Sequence, residues 1–136
     1  MSVAKFCFAA AAALLLYLIL QGCSPMKAIS TTNNAVSETT RVAMPRWDAS
    51  CKSKATACNK AGNKTREECP ELVRCEKDQD AAYAAANGIH AAAAAAALAV
   101  AAGKDPDLAA IAKQVAARAA VYYELLKKAG FLEVLP

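Results

Sequence analysis

The chain has 136 residues, a formal net charge of +4 and six cysteines, and 36 of its residues are alanine. That length allows one small domain. Alanine is the best helix former, and glycine and proline contribute only five residues each, so the composition predicts an all-α fold and argues against a β-sandwich or a Rossmann fold. With a single histidine and no glycine-rich loop, we expect no enzymatic activity and no cofactor.

The first 22 residues are typical of a secretory signal peptide. Lys5 precedes an uncharged apolar stretch of 15 residues from Phe6 to Leu20. That length fits the apolar region of a signal peptide, whereas about 20 apolar residues are needed to span a bilayer. We therefore expect an exported protein. A retained membrane anchor is the alternative, and it would have to bury the polar amide of Gln21.

The end of this leader, Leu20-Gln21-Gly22-Cys23, resembles the lipobox of bacterial lipoproteins, in which a leucine lies three residues before the lipidated cysteine. The resemblance is confined to the leader. It implies that Cys23 carries the lipid and becomes the first residue of the mature chain. In that class a residue other than aspartate after the cysteine, here Ser24, permits passage to the outer membrane. The alternative is ordinary cleavage nearby, with Cys23 as an incidental thiol.

After the leader we expect a flexible tether and then the folded part of the chain. Residues 23–46 are rich in Ser, Thr and Asn, and their few apolar residues follow no regular period, which is typical of a disordered segment. An alanine-rich helical domain is expected to cover 47–136. Trp47, the only tryptophan, would open this domain as a packing residue on a helical hairpin.

The cysteine spacing predicts that this hairpin is antiparallel and disulfide-linked. If Cys7 leaves with the leader and Cys23 carries lipid, an even set of four remains. Nested pairing would join neighbouring helices, because seven residues of helix rise about 10.5 Å and six rise about 9 Å. The favoured pairs are Cys51 with Cys75 and Cys58 with Cys69. Four cysteines allow three pairings, so the other two stay open. A zinc site is disfavoured because the chain has no CxxC pair.

The sequence predicts helices at about 48–61, 70–87, 89–102 and 106–129. Glycines that can close a helix lie at the ends of these segments, and Pro70 and Pro106 occupy favoured first positions. Only Asn87-Gly88 separates the second helix from the third, so one long, kinked helix is the alternative. The expected architecture is a small bundle of three or four helices with a disulfide-linked N-terminal hairpin.

The alanine-rich segment 89–102 has no polar face after His90, so we expect a central helix with neighbours packed around it. His90 has no second histidine as a partner, and a capping or surface role is expected rather than a metal or catalytic one. The last helix has apolar residues at intervals of three and four, which predicts core packing. The tail after it holds four apolar residues that, if exposed, would form a patch for a partner: Phe131, Leu132, Val134 and Leu135.

These features favour an exported, lipid-anchored small helical protein with a structural or protein-interaction role in the cell envelope, at the outer membrane or facing the periplasm. The expected partners are the membrane, through the lipid, and another envelope protein. A nucleic acid is not expected, because the chain lacks a basic run with interleaved aromatic residues. The alternative is a soluble secreted, disulfide-linked helical protein such as a toxin, an inhibitor or a carrier of a small ligand or pigment.

Overall fold

The computed structural model describes residues 24–62 and 65–132, which form an all-α bundle. Its three helices are α1 (Pro25–Lys60), α2 (Pro70–Ala101) and α3 (Leu108–Lys128). Short connections join them, so successive helices run in opposite directions. Two disulfides link α1 to α2. The predicted fold class, a small helical bundle with a disulfide-linked hairpin, is confirmed, with three helices rather than four.

α1 begins much earlier than expected, so the flexible tether predicted for 23–46 is wrong over residues 24–46. The side-chain oxygen of Ser24 caps the helix by accepting from the backbone N–H three residues later at 3.3 Å. Pro25 occupies the first helical position, where its missing N–H costs nothing. The helix then continues without interruption. The folded domain therefore includes residues 24–46 and does not begin at Trp47.

The tether prediction failed because threonines occupy positions that are usually apolar in a packed helix. The buried face begins with the adjacent pair Ala28 and Ile29, after which buried residues recur every three or four positions: Thr32, Val36, Thr39 and Ala43. The hydroxyl of Thr39 donates to the carbonyl oxygen of Ala35, one turn earlier, at 2.8 Å. Its buried side chain therefore leaves no polar group unpaired. Counting only apolar residues misses the helical period of this segment.

α2 is one continuous helix, so the alternative of one long helix across Asn87-Gly88 is confirmed and the break between two predicted helices is wrong. Gly88 makes room for a side chain of the neighbouring helix instead. The guanidinium of Arg118 on α3 donates to the carbonyl oxygen of Gly88 at 2.8 Å, and a Cβ added at residue 88 would lie 2.5 Å from Arg118 Nη1. Three other glycines have positive φ and close their helices as predicted: Gly62, Gly103 and Gly130.

α2 and α3 begin with different capping arrangements. A 3-10 turn at Arg66–Glu68 precedes α2, which begins at Pro70 as predicted. α3 begins at Leu108 rather than at 106. Its start is displaced because Asp107, and not an earlier residue, is the cap: the Asp107 carboxylate accepts from the backbone N–H of Ala110 at 2.9 Å.

α3 extends along only part of the hairpin formed by α1 and α2. The hydroxyls of Thr40 and Tyr122 form a hydrogen bond of 2.8 Å. This bond fixes the axial position of α3 relative to α1. Trp47 packs on Phe131, just beyond the end of α3, with ring centroids 5.3 Å apart. The rest of the hairpin therefore extends past α3, and no third helix of the described chain lies beside it. Residues 48–60 and 69–77 are referred to below as the hairpin tip.

Disulfides hold the hairpin tip together. Cys51 pairs with Cys75 and Cys58 pairs with Cys69, with Cα atoms 5.7 Å and 6.0 Å apart, which lies within the usual range for bridged cysteines. The nested pairing predicted from the spacing is confirmed. Few apolar side chains of the tip are buried, and two of them are bridged cysteines: Cys51, Cys69 and Leu72. The disulfides therefore hold the two helices together in a region where few apolar side chains are buried.

Removal of the Cys51–Cys75 bridge should destabilise the protein more than removal of Cys58–Cys69. The bridged residues are separated by 24 and 11 positions, respectively, and loop-closure entropy assigns about 0.7 kcal/mol more to the longer loop. Each double Cys→Ala variant should lose about 2–4 kcal/mol in denaturant unfolding, with the larger loss for Cys51→Ala/Cys75→Ala. A larger loss of stability for Cys58→Ala/Cys69→Ala would contradict the prediction that the longer loop contributes more.

Gly88→Ala should leave stability nearly unchanged while it uncouples Arg118 from α2. The better helix former contributes about 1 kcal/mol, and displacement of the Arg118 guanidinium loses a hydrogen bond of similar value, about 1 kcal/mol. Arg118→Ala should therefore destabilise the natural chain but not the Gly88→Ala chain. Urea unfolding of the four proteins measures this coupling, and an equal effect in both backgrounds would rule it out.

Candidate functional site

The predicted site residues are distributed over three places. The cysteine pairs lie in the hairpin tip, as described above. Phe131 and Leu132 are half-buried against the core, and the possible partner patch in the tail stays a prediction. They cover the end of α3, where Phe131 meets Trp47. The proposed lipidation residue Cys23, together with Val134 and Leu135, lies outside the described residues.

An open cleft of about 410 Å³ lies where α3 ends beside the hairpin tip. Trp47, Cys75 and Phe131 line it, and its charged residues have both signs: Lys54, Arg74, Lys128, Glu71 and Asp78. This mixture favours neither a cation nor an anion. Across residues 24–62 and 65–132, no group of three or more His, Cys, Asp or Glu side chains is placed to hold a metal ion.

His90 joins two helices, which differs from the expected capping or surface role. Its Nδ1 donates to the side-chain amide oxygen of Asn33 on α1. The ring is half-buried between α1 and α2. Its partner is an amide rather than a carboxylate or a thiol, so the contact is a neutral hydrogen bond between two helices. His90 therefore helps to fix the axial position of α2 relative to α1.

The buried Tyr122 is the most strongly perturbed titratable group of the bundle interior. Its side chain is fully buried, and its hydroxyl donates to the Thr40 hydroxyl at 2.8 Å. The Thr40 hydroxyl donates in turn to the carbonyl oxygen of Val36 at 2.7 Å. Burial raises the pKa of Tyr122 to about 12. The phenol stays neutral at ordinary pH and acts as a packed, hydrogen-bonded core residue.

Tyr122 should make the protein less stable in alkali. The unfolded tyrosine ionises near pH 10, whereas the native one ionises only near pH 12. The unfolded state therefore binds fewer protons between these values, and the free energy of unfolding falls as the pH rises through them. Tyr122→Phe should cost about 1 kcal/mol at neutral pH but lose less stability between about pH 10 and 12. Urea unfolding across this range checks the prediction, and parallel curves for the two proteins would contradict it.

The outer side of α2 presents a long uncharged surface. From Ala81 to Gly103 the chain has no Asp, Glu, Lys or Arg. One side of this helix is buried in the bundle, at Ala82, Ile89 and Ala96. Six residues at intervals of three and four on the opposite side are exposed and are referred to below as the outer face: Ala84, Asn87, Ala91, Ala94, Leu98 and Ala101.

The predicted central position of the alanine-rich segment is therefore wrong. Leu98 is 71% exposed and Val100 is 45% exposed, and Val121 of the neighbouring α3 is 56% exposed. A segment without a polar side predicts burial on every side, but two neighbouring helices cover only one side of a third. The local sequence does not determine how many helices pack against this segment. The exposure of the outer face therefore could not be predicted from it.

By length and composition alone, α2 is the one helix of the described chain that could cross a membrane, with a mean hydropathy of 1.5 over 18 residues. Its inner side packs against α1 and α3, as the hydrogen bonds His90–Asn33 and Arg118–Gly88 indicate. Core helices of other proteins have the same composition.

Comparison of the chain with protein-family models, with curated proteins and with solved structures finds no match. The function must therefore be inferred from the chemistry of this chain alone. The regions used below are the outer face of α2, the hairpin tip and the leader sequence before α1.

Proposed function

We propose that this chain is an exported, lipid-anchored protein of the bacterial cell envelope with a structural or protein-interaction role. The leader that ends in Leu20-Gln21-Gly22-Cys23 supports the anchor through its resemblance to a lipobox. The two disulfides support export, because such bonds persist mainly in oxidising compartments. Within the described residues no group of three or more His, Cys, Asp or Glu side chains could hold a metal ion, and the proposal assigns no catalytic step.

The outer face of α2 carries the proposed interaction role. Its side chains are uncharged and exposed over about five helical turns, and Leu98 is 71% exposed. Large contiguous apolar surfaces on soluble domains commonly mark binding sites. Small side chains also allow another helix backbone to approach closely. An interaction with a helical partner in the envelope is therefore the role that this surface supports best.

The position of the proposed lipid relative to the bundle supports the same role. Cys23 directly precedes Ser24, the cap of α1, so no flexible segment separates the lipid from the first helix. α1 begins at the end of the bundle where α2 finishes, because Asn33 meets His90 there and Cys51 meets Cys75 further along. The outer face would thus lie near the membrane. The charged hairpin tip would extend away from it, since α1 is about 54 Å long.

The anchor is tested by the mass and location of the expressed full chain. The membrane fraction should contain a species that begins at Cys23, carries acyl mass and gains four hydrogens when its two disulfides are reduced. Cys23→Ser should move the protein to the soluble fraction or leave it unprocessed, without acyl mass. Cys7→Ser is the matched control, because this cysteine would leave with the leader, and it should change neither location nor mass of the mature species.

A natural chain recovered only from the soluble fraction, without acyl mass, would contradict the anchor. That result would favour the soluble secreted, disulfide-linked protein as the alternative function. The gain in mass on reduction would still report on the disulfides in either case.

A further inference from the structure

We propose that the domain stands upright on a phospholipid bilayer, with the end of the bundle at which α1 begins seated in the lipid headgroups. This inference rests on the proposed lipid anchor and names the surface that the anchored domain contacts. Residues 24–27 and 98–108 form this end and are referred to below as the anchor end. Three features carry the proposal: the common level of the three helix ends, the apolar side chains exposed there and the short link to Cys23.

α2 finishes at the level at which α1 begins. The bond of His90 to Asn33 sets the register of these two antiparallel helices. Leu98 lies eight residues after His90, near the end of α2. α1 begins at Pro25, which lies eight residues before Asn33. Because each residue of a helix rises about 1.5 Å, Leu98 lies beside the first residue of α1.

α3 begins at the same level. It runs in the same direction as α1, and the bond of Tyr122 to Thr40 sets their register. Leu108, the first residue of α3, lies 14 residues before Tyr122. Met26 lies 14 residues before Thr40, in the first turn of α1. The three helix ends therefore form one flush end face, which is the shape that a flat bilayer can contact as a whole.

Large apolar side chains are exposed at the anchor end. Leu98 is 71% exposed and Val100 is 45% exposed, and both lie within about 3 Å of the level at which α1 begins. The headgroup layer on each side of a bilayer is about 5–7 Å thick. An anchor end seated in this layer would therefore bury both side chains in the interface, and apolar burial is what holds interfacial segments there.

The link to the proposed anchor leaves the anchor end no distance from the bilayer. One peptide unit joins Cys23 to Ser24, the cap of α1, and consecutive Cα atoms are about 3.8 Å apart. Acyl chains on Cys23 would keep the anchor end at the lipid surface at a high effective concentration. A weak apolar contact is then sufficient to hold the domain upright, although it would not bind a free domain to a membrane.

The charges of the anchor end are balanced. Lys27 and Lys104 are exposed, and so are Asp105 and Asp107. The Asp107 carboxylate also accepts from the first turn of α3. Attraction to anionic lipids therefore contributes little net energy, because the two signs cancel. The apolar side chains carry the contact, and it should form as well on phosphatidylcholine vesicles as on vesicles that contain phosphatidylglycerol.

Lysine labelling of the full acylated chain in lipid vesicles tests the proposal. A water-soluble amine reagent is applied, and mass spectrometry gives the rate at each lysine relative to the same lysine in the unfolded chain. Lys27 and Lys104 should react at least about threefold more slowly than Lys52 and Lys60, because headgroups shield the anchor end. Lys52 and Lys60 lie about 40 Å or more from it along α1 and remain in water.

Val100→Glu should raise the rate at Lys27 by at least about threefold, because a carboxylate resists burial in the interface. A new ion pair with Lys27 would slow the reaction, so a rise reports lost shielding. Val121→Glu is the matched control: Val121 is an exposed valine that lies 13 residues after the start of α3, about 20 Å from the anchor end. It should leave the rate unchanged. Circular dichroism establishes that both variants are folded.

Equal relative rates at Lys27 and Lys60 in the natural chain would overturn the proposal, as would equal effects of Val100→Glu and Val121→Glu. Shielding of Lys27 in the membranes of the cell but not in lipid vesicles would assign the anchor end to a protein partner and overturn the lipid contact. Acyl mass is measured on the same samples. Its absence would overturn the anchor and this proposal together, whereas unshielded lysines on an acylated chain would overturn this proposal alone.

Discussion

The unequal lengths of the three helices set the main constraint on this structure. α3 has 21 residues, against 36 in α1 and 32 in α2, so it supports only one half of the hairpin that α1 and α2 form. Beyond the contact of Trp47 with Phe131, two helices alone cannot bury much apolar surface. Two disulfides join them there and restrict the unfolded chain in place of a third helix.

Alanine shapes both the inside and the outside of the supported half. Because alanine fills little volume, the core there depends on a few large residues, and Trp47 and Tyr122 are the largest of its fully buried side chains. The hydrogen bond of Tyr122 to Thr40 satisfies a polar group in that core. On the outside, the same composition leaves α2 uncharged and open. The small side chains that permit close packing within the bundle thus also leave one side of α2 exposed and uncharged.

Features that depend on local rules could be predicted from the sequence. The all-α class follows from composition, and the nested pairing of Cys51 with Cys75 follows from spacing on two helices. Three features could not be predicted, and two of them depend on partners distant in the chain. Thr39 hides the period of α1 by bonding within its own helix. Gly88 is explained only by Arg118, thirty residues later. The exposure of Leu98 follows from the number of neighbouring helices, which no local pattern states.

Amide hydrogen exchange of the oxidised and the reduced protein tests the central claim most directly, namely that disulfides replace a third helix in the hairpin tip. Exchange reports local opening residue by residue. Reduction under native conditions should remove protection from residues 52–60 and 70–77 and leave Ala82–Ala96 protected, because α3 supports that part of α2. Equal loss of protection along the whole of α2, or an unchanged tip, would contradict the account.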